Sequence, residues 1–517
     1  MLVLALVPRL LELRPTVTSD EGYWMQRTVR FGAALARGDL GQTYRSGHPG
    51  VTTMWVGLLG IGPERLTPFL PTRFTNYVTL QKHPMYLEAF FSARRAVAVT
   101  TALLLVGAAA LAWRLLGPGP ALMGGALIAL DPYQVGSSQL LHVDTLLAPL
   151  MLVALLSGFN YWFAGRQLGY LLLTSAFIGL AVLTKAPGIA LPIYLTFIGV
   201  LVSQPWKQGW GRFSAWVGCG VLSLVVYFAC WPALWVEAPR RIPQLIRFAI
   251  TVGGGPHNWP NYFLGQPITG DPGLLFYPIA LIFRMSPVAL VGLLALVFVH
   301  NQRRNRMQTL LALAGFVVFF MLLMNIGAKK FDRYLLPALM VISLLGGAGL
   351  WWFADRLQSI WIRAIVLTVP LALQASLLVQ AQPYPLAAYN PLVGGAEAAR
   401  RVLMVGWGEG LDQVADFLNA QPGAESLIAK THYHHALRPM FRGSTVRVPD
   451  PTPVNYFVVY VNMAQRVIIP PTVVQIMAMQ PPDFIAQVNG SAYAWVYRVD
   501  QAITPAPGTV SEDEDEE

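Results

Sequence analysis

Ten long runs without a single Asp, Glu, Lys or Arg constrain this chain more than any other feature. They are Ala96–Trp113, Leu115–Leu130, Thr145–Gly165, Gln167–Thr184, Ala186–Trp206, Phe213–Val236, Met285–Gln302, Met307–Ala328, Tyr334–Ala354 and Ala364–Ala381. A helix needs about 20 apolar residues to cross the hydrocarbon layer, and only a structure that satisfies its own backbone hydrogen bonds is stable there. Charged residues make up 12% of the 517, against about 25% in an average soluble domain. The start, Met1–Leu13, is apolar but short and contains Arg9 and Glu12. We read it as a first span whose beginning is trimmed or misassigned, giving about eleven in all. The implied class is a polytopic α-helical membrane protein. The net charge of +10 then speaks for loop charge and not for a nucleic-acid partner, because Lys and Arg collect in cytoplasmic loops. Cys219 and Cys230 share one apolar run, which points to buried thiols and not to a disulfide framework. Neither a basic start nor a small-residue cleavage site marks a signal peptide.

Every second connection carries cations: Arg114; Arg166; Lys207 and Arg212; Arg303, Arg304 and Arg306; Arg356 and Arg363. The positive-inside rule makes these cytoplasmic. The outer set is then 14–95, the loop at His142, Lys185, 237–273, 329–333 and everything after 382. The sequence thus divides into a membrane module over 1–382, a small extracytoplasmic α/β domain over 385–500, and an acidic, disordered tail over 501–517. One outer loop breaks the rule: Lys329-Lys330-Phe331-Asp332-Arg333 packs three cations between two spans. Anchoring to lipid headgroups explains it equally with a site for a phosphate group.

The outer layer gathers the chemistry. Asp20 and Glu21 stand where the first span leaves the bilayer. They read either as an N-cap and first-turn acid of the helix near Gly22–Arg37 or as functional carboxylates. That helix looks interfacial, with Trp24, Phe31 and Leu35 on one face and Arg30 and Arg37 on another. His48 lies in a turn, and His142 and Asp144 in the second outer loop. Lys185 follows the fifth span, and Arg284 interrupts the apolar stretch Leu274–Val299. A carboxylate at a span end is costly without a partner. The whole set suits a lipid-phosphate substrate reacting with a hydroxyl or amine.

The order Asp20-Glu21, His48-Pro49, the Gln139–Asp144 loop, Leu183-Thr184-Lys185, Phe276-Tyr277-Pro278 and Lys330-Phe331-Asp332-Arg333-Tyr334-Leu335-Leu336-Pro337 resembles the dolichyl-phosphate-mannose protein mannosyltransferase family. Its bacterial relatives include the lipid A aminoarabinose transferases, within the glycosyltransferase C superfamily. The resemblance spans roughly residues 1 to 380. This chain departs from it in a short first span and in reading His48-Pro49-Gly50 where relatives often have a double proline. The resemblance implies inverting sugar transfer from a polyprenyl-phosphate donor on the outer face of the plasma membrane. It implies Asp20 as general base, with Glu21 orienting donor or acceptor. Asp144 matches the family's second-loop acid. Lys329, Lys330 and Arg333 match the cations that hold the lipid phosphate, and His48 and Lys185 match cavity positions. His142 and Arg284 complete the candidate substrate-binding set. No cofactor is expected: three cationic heads do what a divalent ion would do, and EDTA sensitivity would overturn that. The acceptor is left open among protein, lipid and glycan.

In the last 130 residues, Val402–Val405 reads as a strand, Gly406–Gly410 as a tight turn and Leu411–Ala420 as a helix, with further strands at Tyr456–Val461 and Ala492–Val499. The glycines lack the third position of a dinucleotide-binding turn. His432, His434 and His435 are a metal-binding candidate, although a polar loop explains them as well. A flippase for a polyprenyl-linked sugar, or an inactive scaffold, remain the competing functions. Against a transporter, the charges gather at one surface and not at the midplane, and no repeat is evident.

Overall fold

The computed structural model describes residues 1–11, 13, 16–71, 77–165, 167–203, 210–251, 254–298 and 302–499. Glu12, Arg166, Lys207 and the acidic tail 501–517 lie outside them. Each of the ten uncharged runs contains a helix. Five are long and apolar enough to cross a bilayer: Tyr86–Leu116, Val143–Phe163, Arg304–Asn325, Asp332–Ala354 and Ile360–Gln380. Two helix pairs reach the same length and apolarity only together and are sharply bent, Ser214–Ala229 with Pro232–Thr251 by 109° and Phe276–Arg284 with Pro287–Val297 by 106°. Pro118–Leu130, Leu168–Thr184 and Ala186–Leu201 are shorter apolar helices. The chain is an integral membrane protein.

Val143–Phe163 and Leu336–Ala354 are buried almost throughout and form the centre of the bundle, while Ile360–Gln380 lies largely exposed on its outside. Small residues let the central helix touch its neighbours backbone to backbone, as membrane helices do in place of a hydrophobic driving force. A Cβ on Gly292 would lie 2.1 Å from the Gly346 carbonyl oxygen, and one on Gly347 would lie 2.2 Å from the Gly124 nitrogen. The first helix, Leu2–Leu10, carries Arg9 fully buried. Its guanidinium donates to the carbonyls of Ala129 (3.1 Å) and Ile128 (3.4 Å), which end the helix Pro118–Leu130. A cation on those orphan carbonyls explains how an arginine sits in an apolar helix.

The structure revises three expectations. The helix expected from Ala96 begins at Tyr86, so Arg94 and Arg95 lie within it; burial of Arg94 against Glu21 makes this possible. The helix expected at the interface, Glu21–Ala36, is instead packed inside, with Trp24, Met25, Val29 and Phe31 all buried. Val402–Val405 is not a strand of the sheet; only Leu403 forms a bridge, to Phe263.

Phe263 belongs to a hairpin of β1 (Asn261–Phe263) and β2 (Gln266–Ile268). Beyond residue 425, β3 (Ile428–Lys430), β4 (Ser444–Val446), β5 (Tyr456–Tyr460), β6 (Phe484–Val488) and β7 (Ser491–Arg498) form one mixed sheet ordered β4-β3-β5-β7-β6. The central β5 is buried along its length, as a strand covered on both faces must be. The segment before the sheet is tied to the bundle: Arg284 donates to the carbonyls of Leu386 and Ala388 (3.0 and 2.8 Å).

Candidate active site

The helical bundle and the C-terminal segment line a cavity of about 660 Å³. Its floor is the start of the first outer segment, Ser19 to Trp24. Asp20 precedes the helix Glu21–Ala36, but its side chain makes no capping hydrogen bond, so the N-cap reading fails. Its carboxylate, 37% exposed to the cavity, lies 3.3 Å from Arg333 Nη2 and 3.6 Å from His142 Nε2. His142 Nδ1 accepts a 3.2 Å hydrogen bond from the Asp144 backbone N–H. A neutral ring then carries its proton on Nε2, the nitrogen that faces Asp20. Burial alone would raise the Asp20 pKa, but the adjacent His142 ring and the positive charge of Arg333 override it and hold the carboxyl far below the usual range.

Glu21 has the opposite fate. It is fully buried and does not line the cavity. It pairs with Arg94 and accepts from the backbone N–H groups of Thr18 (3.0 Å) and Leu141 (2.8 Å). Arg94 also donates to the Thr16 carbonyl at 2.6 Å. Glu21 therefore fastens together the segment leading to Asp20, the Leu141–Asp144 loop and the helix Tyr86–Leu116. Glu21, expected to orient donor or acceptor, is directed away from the cavity and joins the segments that carry Asp20 and His142.

The expected cations divide in the same way. Lys185, Lys329 and Arg333 line the cavity, as do His48, His142 and Arg284. Asp144 sits one layer behind, accepting from Lys185 at 2.6 Å, with its other oxygen 3.5 Å from Arg333 Nε. The Lys185 ammonium also lies 4.1 Å from the Tyr334 ring centroid. Lys330 is turned away, buried and bonded to Asp271 (2.6 Å) and the Gly273 carbonyl (3.0 Å), which removes it from the cavity. Arg284 is committed elsewhere too: it pairs with Asp332 at 2.6 Å and stands between the rings of Tyr133 and Tyr389 at 3.9 and 3.8 Å. Lys329 is half-buried, and among the described residues no group hydrogen-bonds or ion-pairs with it. Burial and the nearby charges of Lys185 and Arg333 lower its pKa. Burial and the charges of Lys185, Arg27 and Lys329 push His48 down to about 3, so it is neutral.

Sequence reasoning missed the roof. The turn Gly406–Gly410 places Trp407 over the floor, its ring 4.3 Å from the Arg333 guanidinium and 4.9 Å from the His142 ring. The Trp407 carbonyl accepts from Ser19 N–H at 3.0 Å. Gly408, at φ +135°, lets the turn approach so closely that a Cβ there would stand 2.4 Å from the Val17 carbonyl oxygen. Glu409 accepts from the Trp407 N–H (2.6 Å) and fixes the turn. Further walls come from His257, Trp259, His432–Ala436, Arg447 and Arg466. The only available signals were the glycine-flanked tryptophan and the histidine cluster. Among the described residues no three His, Cys, Asp or Glu side chains converge as a metal site.

The family model for dolichyl-phosphate-mannose-protein mannosyltransferases matches residues 85–232, the stretch that contains His142, Asp144 and Lys185. No curated protein sequence matches the chain. Among solved structures, ArnT from Cupriavidus metallidurans bound to undecaprenyl phosphate aligns with a TM-score of 0.54 at 17% identity, covering 96% of each chain. The apo state of the same protein gives 0.49 at 16% identity, again over 96% of each chain. The apo oligosaccharyltransferase of Archaeoglobus fulgidus gives 0.44 at 14% identity, covering 89% of this chain and 69% of that one. The first of these shows a shared fold from end to end. The chain is thus similar to the protein mannosyltransferases over residues 85–232 and to ArnT in overall fold.

Proposed function

We propose that the protein transfers a sugar, with inversion, from a polyprenyl-phosphate donor to an acceptor on the extracytoplasmic side of the membrane. The observation that carries this is one cavity in which an ionised carboxylate, Asp20, faces Lys185, Lys329 and Arg333. Asp20 takes the proton of the acceptor as its bond to the anomeric carbon forms. Removing such a base costs roughly 10²–10⁴-fold in rate. The donor's anomeric C–O bond breaks as the new bond forms, and the departing phosphate keeps the electron pair. Preorganised cations meet that growing charge, so no metal is required by this chemistry. The 3.3 Å contact between Arg333 and Asp20 leaves no room for a sugar between them. We therefore assign the phosphate to Lys329 and Lys185 first, with Arg333 and His142 holding Asp20 ionised and aimed. Lys329, the cation with no close protein partner, contributes most to donor binding.

Undecaprenyl phosphate binding to the purified protein, followed by the anomeric configuration of the transferred sugar, tests this reading. Lys329→Gln should weaken lipid binding at least tenfold, and the product should carry the configuration opposite to the donor's. Retention would exclude single displacement and remove Asp20 as the base. A flippase would move the lipid-linked sugar without breaking its glycosyl bond, and it would not depend on Asp20.

A further inference from the structure

A polyprenyl-phosphate sugar is a phosphodiester with a single negative charge, and Lys185, Lys329 and Arg333 suffice to face it. Among the described residues that line the cavity, two further arginines, Arg466 and Arg447, stand beside His432, His434 and His435.

Arg466 is buried, and among the described residues no carboxylate pairs with it. Its Nε donates to the Pro260 carbonyl at 2.6 Å, and Nη2 lies 3.4 Å from His257 Nδ1. Nη1 makes no hydrogen bond among the described residues. A buried guanidinium held by neutral groups alone is costly unless an anion completes it. The surrounding histidines do not supply one. Burial and the charges of Arg466 and Arg447 push His432 down to about 3, and burial with the nearby arginine charges does the same to His435. His434 is buried and also lines the cavity. Trp259 and His432 meet edge to face at 5.1 Å, and Tyr433 adjoins them. Flat rings interleaved with neutral polar groups and one cation form a pocket suited to a small polar ring bearing an anion.

We propose that the part of the cavity lined by Arg466, Trp259 and His432–His435 is an acceptor subsite for a sugar that carries a phosphate or carboxylate group, with Arg466 as its anion-binding residue. This rests on the transfer reading above and narrows its acceptor class from protein, lipid or glycan to an anionic glycan. His257 joins the two ends: it touches Arg466 on one side, and its ring lies 5.7 Å from that of Phe331, next to Lys329, on the other. An acceptor anchored at Arg466 would extend past His257 toward Asp20.

The test uses the full-length protein in lipid nanodiscs with undecaprenyl phosphate saturating, so that the donor end is occupied. Binding of glucose, glucose 6-phosphate and glucuronate is then compared. Wild type should bind at least one of the two anionic sugars tenfold or more tighter than glucose, and which one it prefers separates phosphate from carboxylate. Arg466→Gln should abolish that preference while undecaprenyl phosphate still binds, which also shows that the variant is folded. If Arg466→Gln does not fold, Arg447→Gln at the half-exposed rim should reduce the preference at least threefold. Equal binding of all three sugars by wild type overturns the subsite, as does a preference that survives Arg466→Gln, or Arg447→Gln where that variant stands in. Failure of undecaprenyl phosphate to bind wild type instead overturns the donor reading. The subsite is then judged by the same sugar comparison in the Lys329→Gln protein.

Discussion

Asp20 and Glu21 are neighbours in sequence and opposites in role, and the difference comes from what surrounds each oxygen. Glu21 is sealed between Arg94 and two backbone N–H groups. Removing its charge leaves a buried guanidinium uncompensated, which costs about 3–5 kcal/mol. Glu21→Gln should therefore lower the thermal midpoint markedly, whereas Asp20→Asn should leave it near wild type. Equal midpoints for the two variants would show that Glu21 is not a clamp. Asp20 titrates far below the usual carboxylate range because His142 and Arg333 outweigh its burial. It is then ionised at neutral pH, and activity should persist well into the acid range. With Arg333→Gln or His142→Ala, one of the groups that offset burial is lost and the carboxyl pKa rises. The acid limb of kcat/KM should then move to higher pH, by about one unit or more. An acid limb that stays in place would mean that another group is the base.

Two elements make the site possible, and only one was legible beforehand. The helices could be read directly, since an uncharged run of bilayer length has one stable conformation in lipid. Their packing could not. Gly292, Gly346 and Gly347 look like ordinary residues of apolar runs until the backbones meet. The turn Gly406–Gly410 was legible as a tight turn, but its destination was not, because Trp407 and Val17 are brought together only by the fold. Gly408→Ala would place a methyl against the Val17 carbonyl at a strained φ. It should cut kcat at least tenfold while donor-lipid binding falls less, since Lys329 belongs to another segment. An unchanged kcat would show that the turn is not required at the site. His432, His434 and His435 were visible as a cluster, but their place as a cavity wall follows from the packing of the sheet on the bundle.

At the scale of the whole molecule, the sequence placed its reactive residues on one level, and the structure gathers most of them in one cavity. Asp20, His48, His142, Lys185, Lys329 and Arg333 line it, with Asp144 just behind. Glu21 and Lys330 do not, because sequence order cannot tell a carboxylate or ammonium aimed into a cavity from one aimed at a neighbouring helix or loop. The two parts of the chain line one cavity together: the N-terminal part supplies Asp20, Lys185, Lys329 and Arg333, and the C-terminal segment supplies Trp407, Arg447 and Arg466. The account stands on Asp20 as the proton acceptor in sugar transfer. The direct test supplies radiolabelled polyprenyl-phosphate hexose to native membranes, where endogenous acceptors are present, carrying either wild type or Asp20→Asn. The account predicts label transfer by wild type, a loss of roughly 10²-fold or more with Asp20→Asn, and equal donor binding by both. Equal transfer by the two proteins would contradict it.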